Sequence, residues 1–177
     1  MGITYTLKRS TRAQTLRLSV YPDARVMVTA PTLFGIETIE RFVEKHADWV
    51  RRTVAKMDGR SVLSIRRREI ETLKNHALVL AETRCAHFAK HYGVRYKKIT
   101  IRAQKSRWGS CSRSGNLSFN YKIVALPSHI ADYIIVHELC HLAEMNHGKK
   151  FWDLVAKIVP EHKAIRKELR RIAIVYD

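Results

Sequence analysis

The residues best suited to chemistry are two histidines and a glutamate in the segment His137-Glu138-Leu139-Cys140-His141, an H-E-x-x-H motif. In a helix, His137 and His141 would lie one turn apart and about 40° apart around the axis. Two imidazoles at this spacing can bind one metal ion, and Glu138 beside them can take a proton from a water molecule that the metal activates. The motif therefore predicts a metal site with Glu138 as the general base.

The residues around this motif are apolar on nearly every side, from Tyr133 to Ala143. Placing two imidazoles and a carboxylate in a buried helix is costly unless they are paired or bind a metal. A metal site is therefore favoured over a pair of hydrogen-bonded core histidines. Cys140 lies next to a predicted ligand, and we expect it to be a buried packing thiol.

A third protein ligand is needed, and His147 follows at the spacing H-E-x-x-H-x5-H. Metzincins share this spacing but place a glycine in the intervening turn, where this chain has Glu144, so we expect the turn to be built differently. A second group of zincins takes its third ligand as a glutamate from a later helix. The corresponding fallback ligands here are Glu161, His162 and Glu168.

The N-terminal part of the chain is predicted to combine short strands with one helix. Residues 3–29 alternate in short apolar runs, which predicts two or three antiparallel strands that end at Pro31. Apolar residues then follow helical spacing over 36–57, and residues 59–65 are predicted to form a connector.

The rest of the chain is predicted to be a mixture of helices and strands around the motif. The expected elements are a helix from Arg67 to Tyr92, strands at 97–103 and 116–121 with a loop around 108–111 between them, and helices from Ser128, at 149–159 and at 161–175. Ser128 is the expected N-cap of the motif helix. The fold class is α+β, with one domain over 1–60 and a second over 61–177.

The positive charge of this 177-residue chain is concentrated in its middle. Residues 61–127 hold 14 basic and 3 acidic side chains, net +11 of a formal total of +17. Such a field attracts anions, so it indicates a phosphate-bearing substrate or a nucleic acid unless it serves solubility alone. Lys105 and Arg107 lie in this segment, and we predict that they contact the substrate together with Asn120.

The sequence also favours a cytoplasmic protein that does not enter a membrane. No apolar stretch approaches the length of a membrane span, and no secretory signal is visible at the N-terminus. The three cysteines include no C-x-x-C pair, which is typical of reduced thiols.

Several blocks of the sequence resemble the YgjP-like metallopeptidase family, which is related to the SprT-like zincins. The blocks are Ser106–Ser112 (SRWGSCS), Leu117–Asn120, Asp132-Tyr133 before the H-E-x-x-H motif, Asn146-His147-Gly148 and Phe151-Trp152. In looser form the resemblance covers nearly the whole chain. It implies a zincin-like core with a small sheet, an N-terminal β-rich extension, zinc on His137, His141 and His147, and Glu138 as the catalytic acid and base.

These observations favour a metal-dependent hydrolase, with a metallopeptidase as the first hypothesis. The alternative is a metal-dependent nucleoside triphosphate pyrophosphohydrolase, because the resemblance includes a family member linked to that reaction, especially on UTP. A hypothesis of another class is a nucleic-acid-associated binding protein, which the basic middle segment would suit.

Overall fold

The computed structural model of the protein describes residues 2–57 and 59–176, which fall into two compact units. One unit contains the N-terminal segment up to Ser64 together with Arg171–Val175, and the other contains Ile65–Arg170 and Tyr176. The division into domains over 1–60 and 61–177 remains a proposal. Within the described ranges, no helix is both long enough and apolar enough to cross a membrane.

The N-terminal strands form a three-stranded sheet whose central strand comes last in the sequence. Strand β1 (Thr6–Ser10) and strand β2 (Arg17–Val20) flank strand β3 (Val26–Pro31). Val28 and Ala30 on β3 are buried against the neighbouring helix, as the alternation predicted. β2 pairs antiparallel with β3, but β1 pairs parallel to it. The prediction of purely antiparallel strands is therefore wrong for β1, because β1 pairs with β3 and not with the next strand in the chain.

The helix predicted over 36–57 is two helices, α1 (Ile36–Lys45) and α2 (Ala47–Ala55). His46 separates them with φ −105° and ψ 10°, outside the helical region. Its Nδ1 donates to the carbonyl of Phe42 at 2.8 Å, which stabilises the break. The apolar spacing continues across this break, so periodicity alone could not reveal it.

A second sheet joins distant parts of the chain. Strand β4 (Ser61–Ile65) replaces the predicted connector, and it pairs with strand β8 (Ile172–Tyr176) at the end of the chain. The last helix, α6 (His162–Leu169), is therefore shorter than the predicted helix over 161–175. The β-branched residues that follow Leu169 favour a strand once a partner strand is available.

The unit that carries the motif begins with a long helix. A short 3₁₀ turn over Arg67–Glu69 leads into α3 (Ile70–Tyr92), which ends at Gly93 in the left-handed conformation with φ 62°. The prediction for this helix is confirmed apart from its first turn. Small buried residues on one face, Ala77 and Ala81, allow close packing of the neighbouring elements.

A three-stranded sheet lies in the same unit. Strand β7 (Asn116–Asn120) is central, with β5 (Lys98–Arg102) parallel to it and β6 (Gly109–Cys111) antiparallel to it. The predicted strands are confirmed to within two residues. The loop predicted around 108–111 is instead the edge strand β6, whose three residues are too few to show an alternating pattern.

The motif helix, α4 (Ser128–Cys140), is buried on nearly every side and packs against α3, α6, β6 and α5 (Lys149–Ile158). Its N-cap position is occupied by Pro127, so the prediction of Ser128 as N-cap is wrong by one residue. Asp132 accepts two hydrogen bonds from the guanidinium of Arg84 on α3, one of them at 2.6 Å. This bidentate pair holds α4 against α3.

Candidate active site

The three predicted metal-ligating histidines lie together. His137 is on α4, His141 directly follows α4, and His147 lies in the turn before α5. One ring nitrogen from each lies within 4.8 Å of those of the other two, and Nε2 of His137 is 3.0 Å from Nε2 of His147. The three rings therefore point toward a common centre.

Neighbouring groups orient these rings. Nδ1 of His141 donates to the backbone carbonyl of Glu144 at 3.0 Å, which leaves its Nε2 free to bind a ligand. Phe151 is fully buried, and the centre of its ring lies 4.5–4.9 Å from the centres of all three imidazoles. Trp152 Nε1 donates to the carbonyl of His147 at 3.1 Å. The turn thus positions His147 through backbone groups and two aromatic rings.

The electrostatics of the histidines suit a metal ion. Burial, then the neighbouring imidazoles and Arg166, lower the pKa of His137 to about 3. Burial also lowers the pKa of His147. Neutral imidazoles keep the lone pairs that bind zinc. Nδ1 of His137 is buried and has no hydrogen-bond partner among the described residues. Three imidazole nitrogens that converge on one point, one of them on a ring whose other nitrogen is buried and without a partner, fit a divalent metal.

Glu138 lies beside the histidines and is only 6% exposed. Burial raises the pKa of its carboxyl to about 8, and the nearby positive charge of Arg107 opposes this rise. The side chain packs directly on Gly109 of β6: a Cβ on that residue would lie 2.7 Å from Cγ and Oε1 of Glu138. The missing side chain at 109 therefore makes the space that the carboxyl occupies.

Glu138 and His137 line an open cavity of about 390 Å³. Arg107, from the loop before β6, forms part of its wall, and its contact with the substrate stays a prediction. Two residues that the sequence did not suggest, Arg166 on α6 and Arg170 directly after it, also line the cavity. The site thus combines a group of histidines that could hold a metal ion with a positively charged wall.

The other two predicted substrate contacts lie elsewhere. Lys105 lines a separate cavity of about 540 Å³ and is not among the described residues that line the first cavity. Asn120 is 2% exposed, and its amide donates to the carbonyls of Gln104 at 2.7 Å and Arg107 at 2.9 Å. Asn120 therefore holds the loop that carries Arg107, and any effect on substrate would act through that loop.

The fallback ligands have other surroundings. Glu168 accepts a hydrogen bond from Nε2 of His129 at 3.0 Å. The ring of His162 is buried and stacks on Trp152 at 5.4 Å between centres, and Glu161 is exposed. Among the described residues, none of the three fallback ligands belongs to the group of side chains that could hold a metal.

Comparison with protein families identifies one match. A family model described as a YgjP-like metallopeptidase domain matches residues 14–78 and 62–172. A comparison with proteins of curated function found no significant match.

Two solved structures are similar to parts of the chain. The metallopeptidase zymogen abylysin of Pyrococcus abyssi is 25% identical over 50% of this chain and 90% of its own, with a TM-score of 0.47. The metallopeptidase zymogen jannalysin of Methanocaldococcus jannaschii is 23% identical over 57% of this chain and 93% of its own, with a TM-score of 0.39.

Proposed function

The chain belongs to the YgjP-like metallopeptidase family, and from this premise we propose that it cleaves peptide bonds at a zinc ion held by His137, His141 and His147, with Glu138 as the general base. Membership makes the protein a metal-dependent hydrolase and implies a divalent metal and a peptide substrate. The observation that carries the proposal is the convergence of three imidazole nitrogens within 4.8 Å, together with a buried carboxyl, that of Glu138, which lines the same cavity as His137.

The donor set supports zinc in a catalytic role. Structural zinc sites are usually closed by four ligands rich in cysteine, whereas three histidines leave one coordination position for water or substrate. Cys140 is almost fully buried, and burial raises the pKa of its thiol to about 11, so it is a poor fourth ligand. When bound, zinc polarises a carbonyl oxygen and lowers the pKa of water toward about 7.

In the proposed reaction, Glu138 moves one proton. Its carboxylate accepts a proton from the water that attacks the carbonyl carbon, and it returns that proton to the amine as the C–N bond breaks. Burial raises the pKa of this carboxyl, so once it is ionised beside the metal it is a stronger base than an exposed glutamate. Gly109 lets the carboxyl lie against β6, which keeps it in place for both transfers.

β6 offers a place for an extended peptide. It lies at the end of the sheet order β5-β7-β6, so one of its edges has no partner strand in this sheet. Extended peptides commonly bind by adding a strand to such an edge. A peptide bound there would pass Gly109, and hence Glu138.

The test compares the zinc-loaded protein with its Glu138→Gln variant on an unstructured protein such as casein. We expect the variant to cleave about 10²- to 10⁴-fold more slowly, because the proton acceptor is lost. The zinc content should stay the same. Glu161→Gln, a change at an exposed glutamate outside the histidine group, should cleave normally. Equal cleavage by the parent and Glu138→Gln would refute the assigned role.

A second candidate activity is the release of pyrophosphate from nucleoside triphosphates. It is favoured by one observation, the presence of Arg107 in the cavity wall close enough to Glu138 to oppose the rise of its pKa. Guanidinium groups bind phosphate well. Pyrophosphate release from UTP and the other triphosphates by the parent, absent in Glu138→Gln, would assign this reaction to the same site.

A further inference from the structure

Three arginines line the proposed catalytic cavity, and their place there indicates which peptides the site prefers. We propose that Arg107, Arg166 and Arg170, here called the arginine wall, bind a carboxylate of the peptide substrate and make the enzyme selective for acidic substrates. This inference rests on the proposed peptidase function. The carboxylate can belong to an Asp or Glu side chain or to the C-terminus of the peptide, and the experiment below distinguishes the two.

The guanidinium groups of the arginine wall are available for a ligand. None of the three forms an ion pair with a carboxylate in the part of the chain that the structure describes, and all three are exposed. Arg84 shows the opposite arrangement, since its guanidinium is satisfied by a bidentate pair with Asp132. The cavity thus presents unpaired charges where the substrate must bind.

The arginine wall comes from two elements that both border the reactive groups. Arg107 comes from the loop before β6, and Arg166 and Arg170 come from the end of α6 and the residue after it. These side chains line the same cavity as His137 and Glu138. A substrate carboxylate held by them would therefore lie near the scissile bond.

The two arginines at the end of α6 are close to each other. Arg166 on α6 and Arg170, directly after it, are four residues apart, so they face the same side of the last turn and their like charges repel. Arg166 also lies over the ring of Trp152, with its Cζ 5.2 Å from the ring centre. A bound anion would offset the repulsion between the two guanidinium groups.

The chemistry of the wall matches a carboxylate. Glu138 is the only carboxyl among the described residues that line the cavity, so the arginine wall has no carboxylate of its own there apart from the proposed base. A planar guanidinium forms two parallel hydrogen bonds with a carboxylate, which an ammonium cannot do. Replacing arginine by lysine should therefore weaken binding even though the charge stays.

The experiment uses four peptides of one sequence, with Glu or Gln at a single position and with a free or an amidated C-terminus. If the wall binds a side-chain carboxylate, the parent should cleave the Glu peptide with a kcat/KM about tenfold above that of the Gln peptide. If it binds the C-terminus, the same preference should separate the free peptide from the amidated one. Arg170→Gln should remove most of that preference, and Arg170→Glu should shift it toward a peptide with Lys at the same position. Lys167→Gln, an exposed cation outside the described cavity lining, serves as the matched control and should keep the preference.

A binding measurement separates this inference from the proposed function. The zinc-loaded Glu138→Gln variant should bind the acidic peptide more tightly than the neutral one by fluorescence anisotropy, and high salt should reduce the difference. Charge-dependent binding without any cleavage by the parent would refute the peptidase while supporting the arginine wall. Equal binding of all four peptides, or an effect of Arg170→Gln on UTP hydrolysis alone, would overturn the inference.

Discussion

The histidine group and the arginine wall meet at the cavity that His137 lines, but their side chains are held in different ways. Fully buried Phe151 lies against all three imidazoles, and a backbone carbonyl orients His141. In the wall, Arg107 and Arg170 are exposed and have no ion-pair partner in the described part of the chain. The imidazoles are thus held by packing and a backbone hydrogen bond, whereas the arginine wall consists of exposed charged side chains.

This difference follows from what each side must do. A metal site requires donor atoms at fixed positions, because small displacements weaken coordination. Attraction of a charged substrate acts over several ångströms and tolerates side-chain movement. We therefore expect substitutions behind the histidines to affect folding and metal binding together, and substitutions in the wall to affect substrate choice alone.

The largest expected effect is that of Phe151→Ala. Truncation of a buried phenylalanine typically costs about 3–5 kcal/mol of the free energy of unfolding, and here it also removes the surface that holds the three imidazoles. Denaturant unfolding of the metal-free protein and zinc titration would measure both losses. Phe88→Ala is the matched control, since Phe88 is 6% exposed on α3 and should cost stability without weakening zinc binding. Unchanged zinc affinity in Phe151→Ala would show that the packing of Phe151 does not hold the imidazoles in place for the metal.

A smaller effect is expected for Gly109→Ala. The added methyl would lie 2.7 Å from Oε1 of Glu138, so the buried carboxyl must move. We expect kcat to fall by about 10- to 100-fold, because the proton acceptor is displaced, while zinc affinity stays the same. Gly35→Ala is the control, since a Cβ at Gly35 meets nothing within 4 Å. Full activity of Gly109→Ala would show that Glu138 does not need this space.

The smallest effect on folding is expected for Arg170→Ala. An exposed residue with no ion pair among the described side chains should change the free energy of unfolding by less than about 0.5 kcal/mol. Thermal unfolding of the zinc-loaded protein would test this. A loss comparable to that of Phe151→Ala would mean that the wall is part of the structural core, and the distinction between the two sides would fail.

The sequence predicted the histidine group better than the arginine wall. The spacing of His137, His141 and His147 is local, and helical geometry alone indicates that the first two share a face. Arg166 lies in a later helix and Arg170 directly follows it. Nothing in the sequence around these two residues indicates that they line the cavity. The block that contains Phe151 and Trp152 carried the family resemblance, but its spacing did not show that these rings contact the histidines.

The errors in the fold have a similar cause. Ile165, Leu169 and Ile172 follow helical spacing, so the pattern favoured one helix where the chain changes to a strand after α6. That strand, β8, depends on pairing with β4, which is distant in the sequence. The short strand β6 likewise depends on β7 for its extended form. Non-local pairing decided each case, and local propensity could not reveal it.

The pairing of β4 with β8 also determines when this sheet can form during synthesis. β4 leaves the ribosome before its partner, because residues 66–171 are translated between the two strands. Because translation is slow compared with the formation of local structure, β4 stays without this partner until the residues of β8 have been made. A nascent chain arrested before residue 172 would carry a strand open to pairing with other chains. This sheet therefore forms later during synthesis than the sheets whose strands are close together in the sequence.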